Sequence, residues 1–269
     1  MRHTRLAIEG TPPRSYRARC RPAGVYTGSP CHHLSGSRQS ITGFFLERVV
    51  PTYPPSPFNW IDRLPARERA AVKASLWPIR SREGGDVYSP SATARGIYRL
   101  LAGSAKMYLL SQGGGEILLK RFSAGESFGE VATLDREDYP VFVSLEPETL
   151  LGYLSLADIQ RLMTEYPAVT RAVQTAVSTY GRAALGFFYS AVTGNAVTRI
   201  RDRLEWIAGH EAAVGAPGVI RITQAELASM VGLSRQTVNE ALAALAGRGE
   251  IRVGNGSIML TERFAADPS

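Results

Sequence analysis

Apolar positions change their rhythm twice along this chain. Residues 1–57 are rich in Pro, Ser, Gly and Arg, with one apolar break at residues 44–50. That composition buries too little surface to offset the entropy of ordering, so most of this tail is expected to be disordered. Order is expected from about Asn59, with short helices at residues 60–64 and 67–76 and Pro65 suited to a first helical turn. From residue 79 to 155 the apolar residues come in short runs cut by glycine: Ile97-Tyr98-Arg99-Leu100-Leu101, Lys106-Met107-Tyr108-Leu109-Leu110, Ile117-Leu118-Leu119 and Val141-Phe142-Val143. Several short strands at that spacing predict a β-barrel or jelly roll.

After residue 155 the period becomes helical. Val169, Val173, Ala176, Tyr180, Ala184, Phe187 and Ala191 follow at steps of three or four and so share one stripe of a helix. Such a stripe suits a dimer seam, and it suits equally well packing on the chain's own β-domain.

The most specific pattern spans residues 223–246. Leu227, Ala228 and Val231 form the inner face of a first helix, and Gly232 stands where the chain needs a positive φ to leave it. Leu233 plugs the turn and Ser234 caps the next helix, whose buried face is Val238, Leu242 and Leu245. Arg235, Gln236, Asn239 and Glu240 are left on the outer face. This joint spacing predicts a helix-turn-helix, in which those outer positions meet base edges in the major groove. An ordinary helical hairpin in a core would not need the glycine, the cap and the polar face together. Behind it, residues 250–253 and 258–260 flank Gly254-Asn255-Gly256-Ser257 and predict a β-hairpin, a wing. Arg252 on that wing suits either a phosphate contact or plain solvation.

Charge adds little. All but one of the net +7 charges of the 269 residues belong to the tail, where Arg2, Arg5, Arg14, Arg17, Arg19, Arg21 and Arg38 face one acid, Glu9. Residues 195–269 hold eight arginines and eight acids, so no basic footprint marks the helix-turn-helix. The two cysteines, Cys20 and Cys31, fit a reduced compartment better than a disulfide framework. Cys31-His32-His33 with Cys20 gives one cluster and a lone ligand where a structural zinc site has two tight pairs, so no metal is expected. Enzymatic function is not expected either: there is no nucleophile–base pair and no phosphate loop, and His210 is the only histidine beyond residue 33. No apolar run spans a bilayer and no secretory signal opens the chain, which makes the cytoplasm the expected compartment.

Three features in order make the chain resemble the Crp/Fnr family, the cyclic-AMP-receptor-like bacterial regulators, over about residues 60–262. They are Gly96-Ile97-Tyr98-Arg99-Leu100-Leu101-Ala102-Gly103 followed by Ala124-Gly125-Glu126-Ser127-Phe128-Gly129-Glu130, then a long helix through Arg199-Ile200-Arg201-Asp202-Arg203-Leu204, then residues 222–245 with the wing. The resemblance implies an α+β fold. Its parts are a cyclic-nucleotide-binding-like jelly roll at residues 58–155, a dimerisation helix at 156–194 and a winged helix-turn-helix at 195–263. It favours the dimer-seam reading of the stripe and assigns Thr223, Ser234, Arg235, Gln236, Thr237, Asn239, Glu240 and Arg252 to DNA. The implied partners are double-stranded DNA, a second copy of the chain and, for an activator, RNA polymerase. No cofactor and no membrane are implied.

The departures matter as much. Ser234-Arg235 matches the family's contact pair, but Gln236 stands where the cyclic-AMP receptors carry a glutamate and Glu240 where they carry an arginine, so a different target sequence is expected. The effector pocket would draw on Gly129, Glu130 and Arg136. Glu130 matches a carboxylate that accepts from a ribose hydroxyl, yet the phosphate-binding Arg-Ser or Arg-Thr pair falls at Tyr139-Pro140. Tyrosine and proline supply no cation. Gating by cyclic AMP is therefore not expected, Glu130 reads as a structural turn residue, and the effector stays unidentified. A strictly ligand-gated sensor using the jelly-roll pocket is the alternative.

Overall fold

The computed structural model describes residues 56–210 and 218–266. The expectations for residues 1–55, including Cys20, Cys31, His32 and His33, lie outside the described residues.

Two short helices, α1 (Trp60–Arg63) and α2 (Ala66–Ala74), precede eight strands: β1 (Trp77–Ser81), β2 (Gly85–Tyr88), β3 (Gly96–Ala102), β4 (Ala105–Leu110), β5 (Glu116–Phe122), β6 (Ser127–Phe128), β7 (Phe142–Leu145) and β8 (Thr149–Ser155). A short helix, α3 (Glu130–Asp135), interrupts them after β6. They form two antiparallel four-stranded sheets, ordered β1-β8-β3-β6 and β2-β7-β4-β5. Alternation directs one face of each strand inward. In β5 that face is Leu118, Lys120 and Phe122. The core between the sheets is aromatic, built from Tyr88, Tyr98, Phe122, Phe128, Tyr139 and Tyr153. The tight turn into α3 requires glycine: Gly129 has φ +99°, and a Cβ there would sit 2.8 Å from the Gly96 carbonyl oxygen.

Lys120 is the unexpected inward residue, and its charge is fully matched. Its three donors meet Glu126 Oε1 at 3.1 Å, Glu126 Oε2 at 3.3 Å and the Arg121 carbonyl at 2.9 Å. The Phe58 and Phe122 rings lie 4.8 and 5.0 Å from its Nζ. A buried ammonium without such partners would be strongly destabilising.

Residues 156–193 form two helices rather than one. α4 (Leu156–Glu165) ends where Tyr166 leaves the helical region (φ −131°, ψ 95°), and α5 (Pro167–Thr193) restarts with Pro167 in its first turn. The first part of the striped face of α5 packs on its own chain. Val169, Val173 and Ala176 are buried against Trp60, Ile61, Leu64, Ile97 and Leu154 of the same chain. The Tyr180 ring lies 4.4 Å from that of Phe58, tilted by 36°. Ala184 and Phe187 face a cavity of the β-domain, and Ala191 is exposed. The opposite side of α5 carries a second apolar stripe at steps of i, i+3, i+4 and i+7. Leu185, Phe188, Tyr189 and Val192 are 71%, 68%, 69% and 67% exposed. Spacing alone marks both stripes as helical and cannot assign their partners.

The C-terminal region comprises α6 (Ala196–His210), β9 (Val219–Arg221), α7 (Gln224–Val231), α8 (Arg235–Gly247), β10 (Ile251–Gly254), β11 (Ser257–Leu260) and α9 (Glu262–Ala266). Ile200, Leu204 and Ile207 of α6 enter one core with Leu227, Val238, Leu242, Leu245, Ile251 and Ile258.

Candidate nucleic-acid interface

The turn between α7 and α8 follows from local chemistry. Thr223 caps α7 by accepting from the Glu226 amide at 3.2 Å, while Glu226 accepts from the Thr223 amide at 2.9 Å. This reciprocal box satisfies two amides that the first turn leaves without helical partners. Gly232 ends α7 in the left-handed region at φ +63°. Ser234 then caps α8, accepting from the Thr237 amide at 3.1 Å. Val238, Ala241, Leu242 and Leu245 bury the inner face of α8. Arg235, Gln236, Asn239 and Glu240 are all exposed on the other side, and Gln236 donates to Glu240 across one turn at 3.1 Å.

β10 and β11 pair through the two-residue turn Asn255-Gly256, with Gly254 opposite Ser257. Arg252 is exposed on this hairpin. β9 adds a third strand on the β11 side. Its three residues are too few to show a period, and sequence reading missed it.

The arginines of α6 are structural. Arg201 Nε donates to Glu250 Oε2 at 3.1 Å and Arg201 Nη2 to the Phe264 carbonyl at 2.8 Å. Arg248 also donates to Glu250. Burial alone would raise the Glu250 carboxyl, but the hydrogen bonds from Arg248 and Arg201 outweigh it and hold it below the usual carboxylate range. Arg199 donates to the Val231 carbonyl at the end of α7. Arg203 lies over the Phe187 and Trp206 rings, 4.3 and 4.7 Å from their centroids, and donates to the Leu119 carbonyl.

α7 also rests on the edge of the β-domain. Ser229 Oγ accepts from the Leu118 amide at 3.0 Å and donates to the Glu116 carbonyl at 2.5 Å. Arg121 of β5 pairs with Glu226.

Of the three pocket residues expected from sequence, the structure brings two together. Gly129 and Glu130 line a cavity of about 420 Å³ that also touches Tyr139 and Pro140. Arg136 stands apart, exposed at the end of α3 with φ +64°. Glu130 is buried, and its Oε1 accepts from Trp60 Nε1 at 3.0 Å and from the Ser127 hydroxyl, so it ties α1 to the sandwich. Burial raises its carboxyl above the usual range, although the hydrogen bonds from Ser127 and Trp60 act the other way.

Residues 198–265 match the Crp-like helix-turn-helix domain, and residues 79–166 match the cyclic nucleotide-binding domain. The chain belongs to the Crp/Fnr family. Among curated Crp/Fnr relatives it is 25% identical to the cyclic AMP receptor protein of Thermus thermophilus, over 67% of this chain and 82% of that one. It is 23% identical to the CRP-like cAMP-activated global transcriptional regulator of Mycobacterium tuberculosis, over 72% and 88%. Among solved structures, a CooA mutant from Carboxydothermus hydrogenoformans aligns at TM-score 0.62 and 16% identity, over 80% of this chain and 96% of that one. FixK2 from Bradyrhizobium japonicum aligns at TM-score 0.60 and 16% identity, over 71% and 96%. These two likenesses carry the fold alone. As a Crp/Fnr protein with this domain pair, the chain is a DNA-binding transcription regulator. No helix among the described residues is long and apolar enough to cross a membrane.

Proposed function

We propose that this regulator binds a palindromic DNA site as a homodimer in the cytoplasm, and that neither cyclic AMP nor cyclic GMP gates it. The observation that carries the reading is α8 itself: a fully buried inner face leaves Arg235, Gln236, Asn239 and Glu240 exposed near the helix N-terminus. In the major groove, Arg235 reaches guanine O6 and N7 with two parallel donors, while Gln236 and Asn239 suit adenine. Thr223, Ser234 and Thr237 lie at the starts of α7 and α8, where backbone amides and hydroxyls suit phosphate. Arg252 supplies a wing contact to the flanking backbone.

The dimer rests on α5, through Leu185, Phe188, Tyr189 and Val192 rather than the stripe expected from spacing. An apolar face this exposed marks an association surface. Twofold symmetry then sets two recognition helices about 34 Å apart on one face of DNA. An activator of this kind would also contact RNA polymerase.

Against cyclic-nucleotide gating stand three placements. Tyr139 stands where the family resemblance puts a phosphate-binding arginine, Arg136 is exposed and does not line the cavity, and Lys120 is matched by Glu126. A cyclic phosphate buried there would lack a compensating cation. Selection of bound sites from random DNA, with sedimentation of the purified protein, tests the proposal. Inverted half-sites and a dimer at micromolar concentration are expected; a lone half-site or a monomer would overturn it.

A further inference from the structure

The exposed face of α8 concentrates its polar side chains near the N-terminus. Beyond Arg235, Gln236, Asn239 and Glu240 that face carries only Ala243, Ala244, Ala246 and Gly247. Glu240 is the odd member of the set. An acid close to DNA is repelled by the phosphates that supply most of the binding energy. The helix dipole favours acids only within the first turn, and the first turn of α8 holds none. No salt bridge among the described residues neutralises Glu240; its hydrogen-bond partner is Gln236, whose Nε2 donates to its Oε1 at 3.1 Å. Spare positive charge is also scarce. Of the eight arginines in residues 195–269, Arg199, Arg201, Arg203 and Arg248 are bonded within the protein.

The chemistry of the groove floor restricts where such a group can go. A carboxylate only accepts hydrogen bonds. Guanine presents acceptors at O6 and N7, and thymine an acceptor at O4. Adenine sets the N7 acceptor beside its N6 donor, whereas cytosine presents the N4 donor alone. A carboxylate pressed against guanine or thymine loses its water and gains no partner. Gln236 and Glu240 stand one helical turn apart and so share one side of α8. Their bond restricts the Glu240 side chain before DNA arrives, which lowers the cost of ordering it, and it leaves Oε2 for a base. It uses one of the two Gln236 amide hydrogens; the other remains, with Oε1, for adenine.

We propose that Glu240 selects a cytosine in each half-site and that Gln236 is the residue that positions it. This deepens the proposed function and rests on it for the placement of α8 in the major groove. The acid gives up affinity for selectivity. Phosphate repulsion weakens binding to every sequence, and the loss is recovered only where a cytosine donor meets the carboxylate.

The test selects sites from random DNA with the full-length protein and its variants, then measures affinity for selected and scrambled DNA. Replacing the cytosine in the selected site should weaken binding by the parent by about fivefold or more. Glu240→Ala should lose preference at that one G·C pair and keep preference at the pair relaxed by Arg235→Ala. It should also bind scrambled DNA severalfold tighter than the parent does. Glu240→Gln should exchange cytosine for adenine, because an amide pairs with adenine on both its donor and its acceptor. Gln236→Met, similar in length but without the amide, should reduce the cytosine preference without abolishing it. Both positions are exposed, so each variant should keep the Tm of the parent. If Glu240→Ala relaxes an A·T pair instead, or no position at all, the base assignment is overturned. A Gln236→Met variant with the full cytosine preference overturns the positioning role. A parent that binds all sequences alike overturns the proposed function and this inference with it, whereas specific binding that ignores Glu240 overturns this inference alone.

Discussion

Tyr139 lies flat against Tyr88, their ring centroids 3.7 Å apart and their planes 5° from parallel. The Tyr139 hydroxyl donates to the Gly96 carbonyl at 3.0 Å and accepts from the Arg95 amide at 3.2 Å. The position where the family resemblance puts a phosphate-binding arginine is thus part of the aromatic core. Stacking and two hydrogen bonds fix it there.

Cyclic AMP and cyclic GMP are accordingly expected to give no saturable heat when titrated into the purified protein, and no change in DNA affinity. Low-micromolar binding that disappears in Arg136→Ala would show instead that the pocket rebuilds around Arg136.

The two stripes of α5 should respond differently to substitution. Phe188→Glu, on the exposed side, is expected to leave thermal stability of the chain nearly unchanged and to abolish the dimer in sedimentation. Val173→Ala, on the buried side, should cost about 1–3 kcal/mol of folding stability through lost burial and a cavity, with the dimer retained once folded. The reverse assignment of effects would restore the seam expected from spacing.

How much of this was legible beforehand differs between regions. The helix-turn-helix was readable because its signals are local: a cap, a positive-φ glycine and a buried stripe all fall within 24 residues of one another, from 223 to 246. The stripe on α5 was legible as helical and its partner was not, because a 3.6-residue period carries no information about what covers it. The burial of Lys120, Arg201 and Arg203 had no sequence signal, since their partners Glu126, Glu250 and the Leu119 carbonyl are brought in by the fold. Of the cavity only Gly129 and Glu130 were expected, because the rest of its wall collects residues as far apart as Tyr88 and Trp206.

Arg235→Ala should weaken specific binding by about 1–3 kcal/mol per half-site and relax preference at one base position. Fluorescence anisotropy on selected and scrambled DNA checks this. Equal weakening on both would place Arg235 on phosphate alone.

Glu250 makes the winged domain acid-sensitive. Its carboxyl is held below the usual range in the folded state, so the unfolded chain takes up its proton first as pH falls. The stability it contributes is complete above the ordinary glutamate pKa of about 4.3 and is lost as pH drops through the folded value. Urea unfolding of Glu250→Gln is expected to show lower stability than the parent at pH 7 and a smaller loss on acidification. An unchanged difference between the two at every pH would mean that the carboxylate's charge is irrelevant.

β5 is the last strand of its sheet, and Ser229 binds both the Leu118 amide and the Glu116 carbonyl along that open border. The DNA-binding domain therefore doubles as the guard of a sheet edge. Any motion that lifts α7 away bares a run of unpaired backbone able to template pairing with another chain. A regulator built this way gains freedom to reorient its reading head only by risking self-assembly into strands, and the serine hydroxyl stands at that balance.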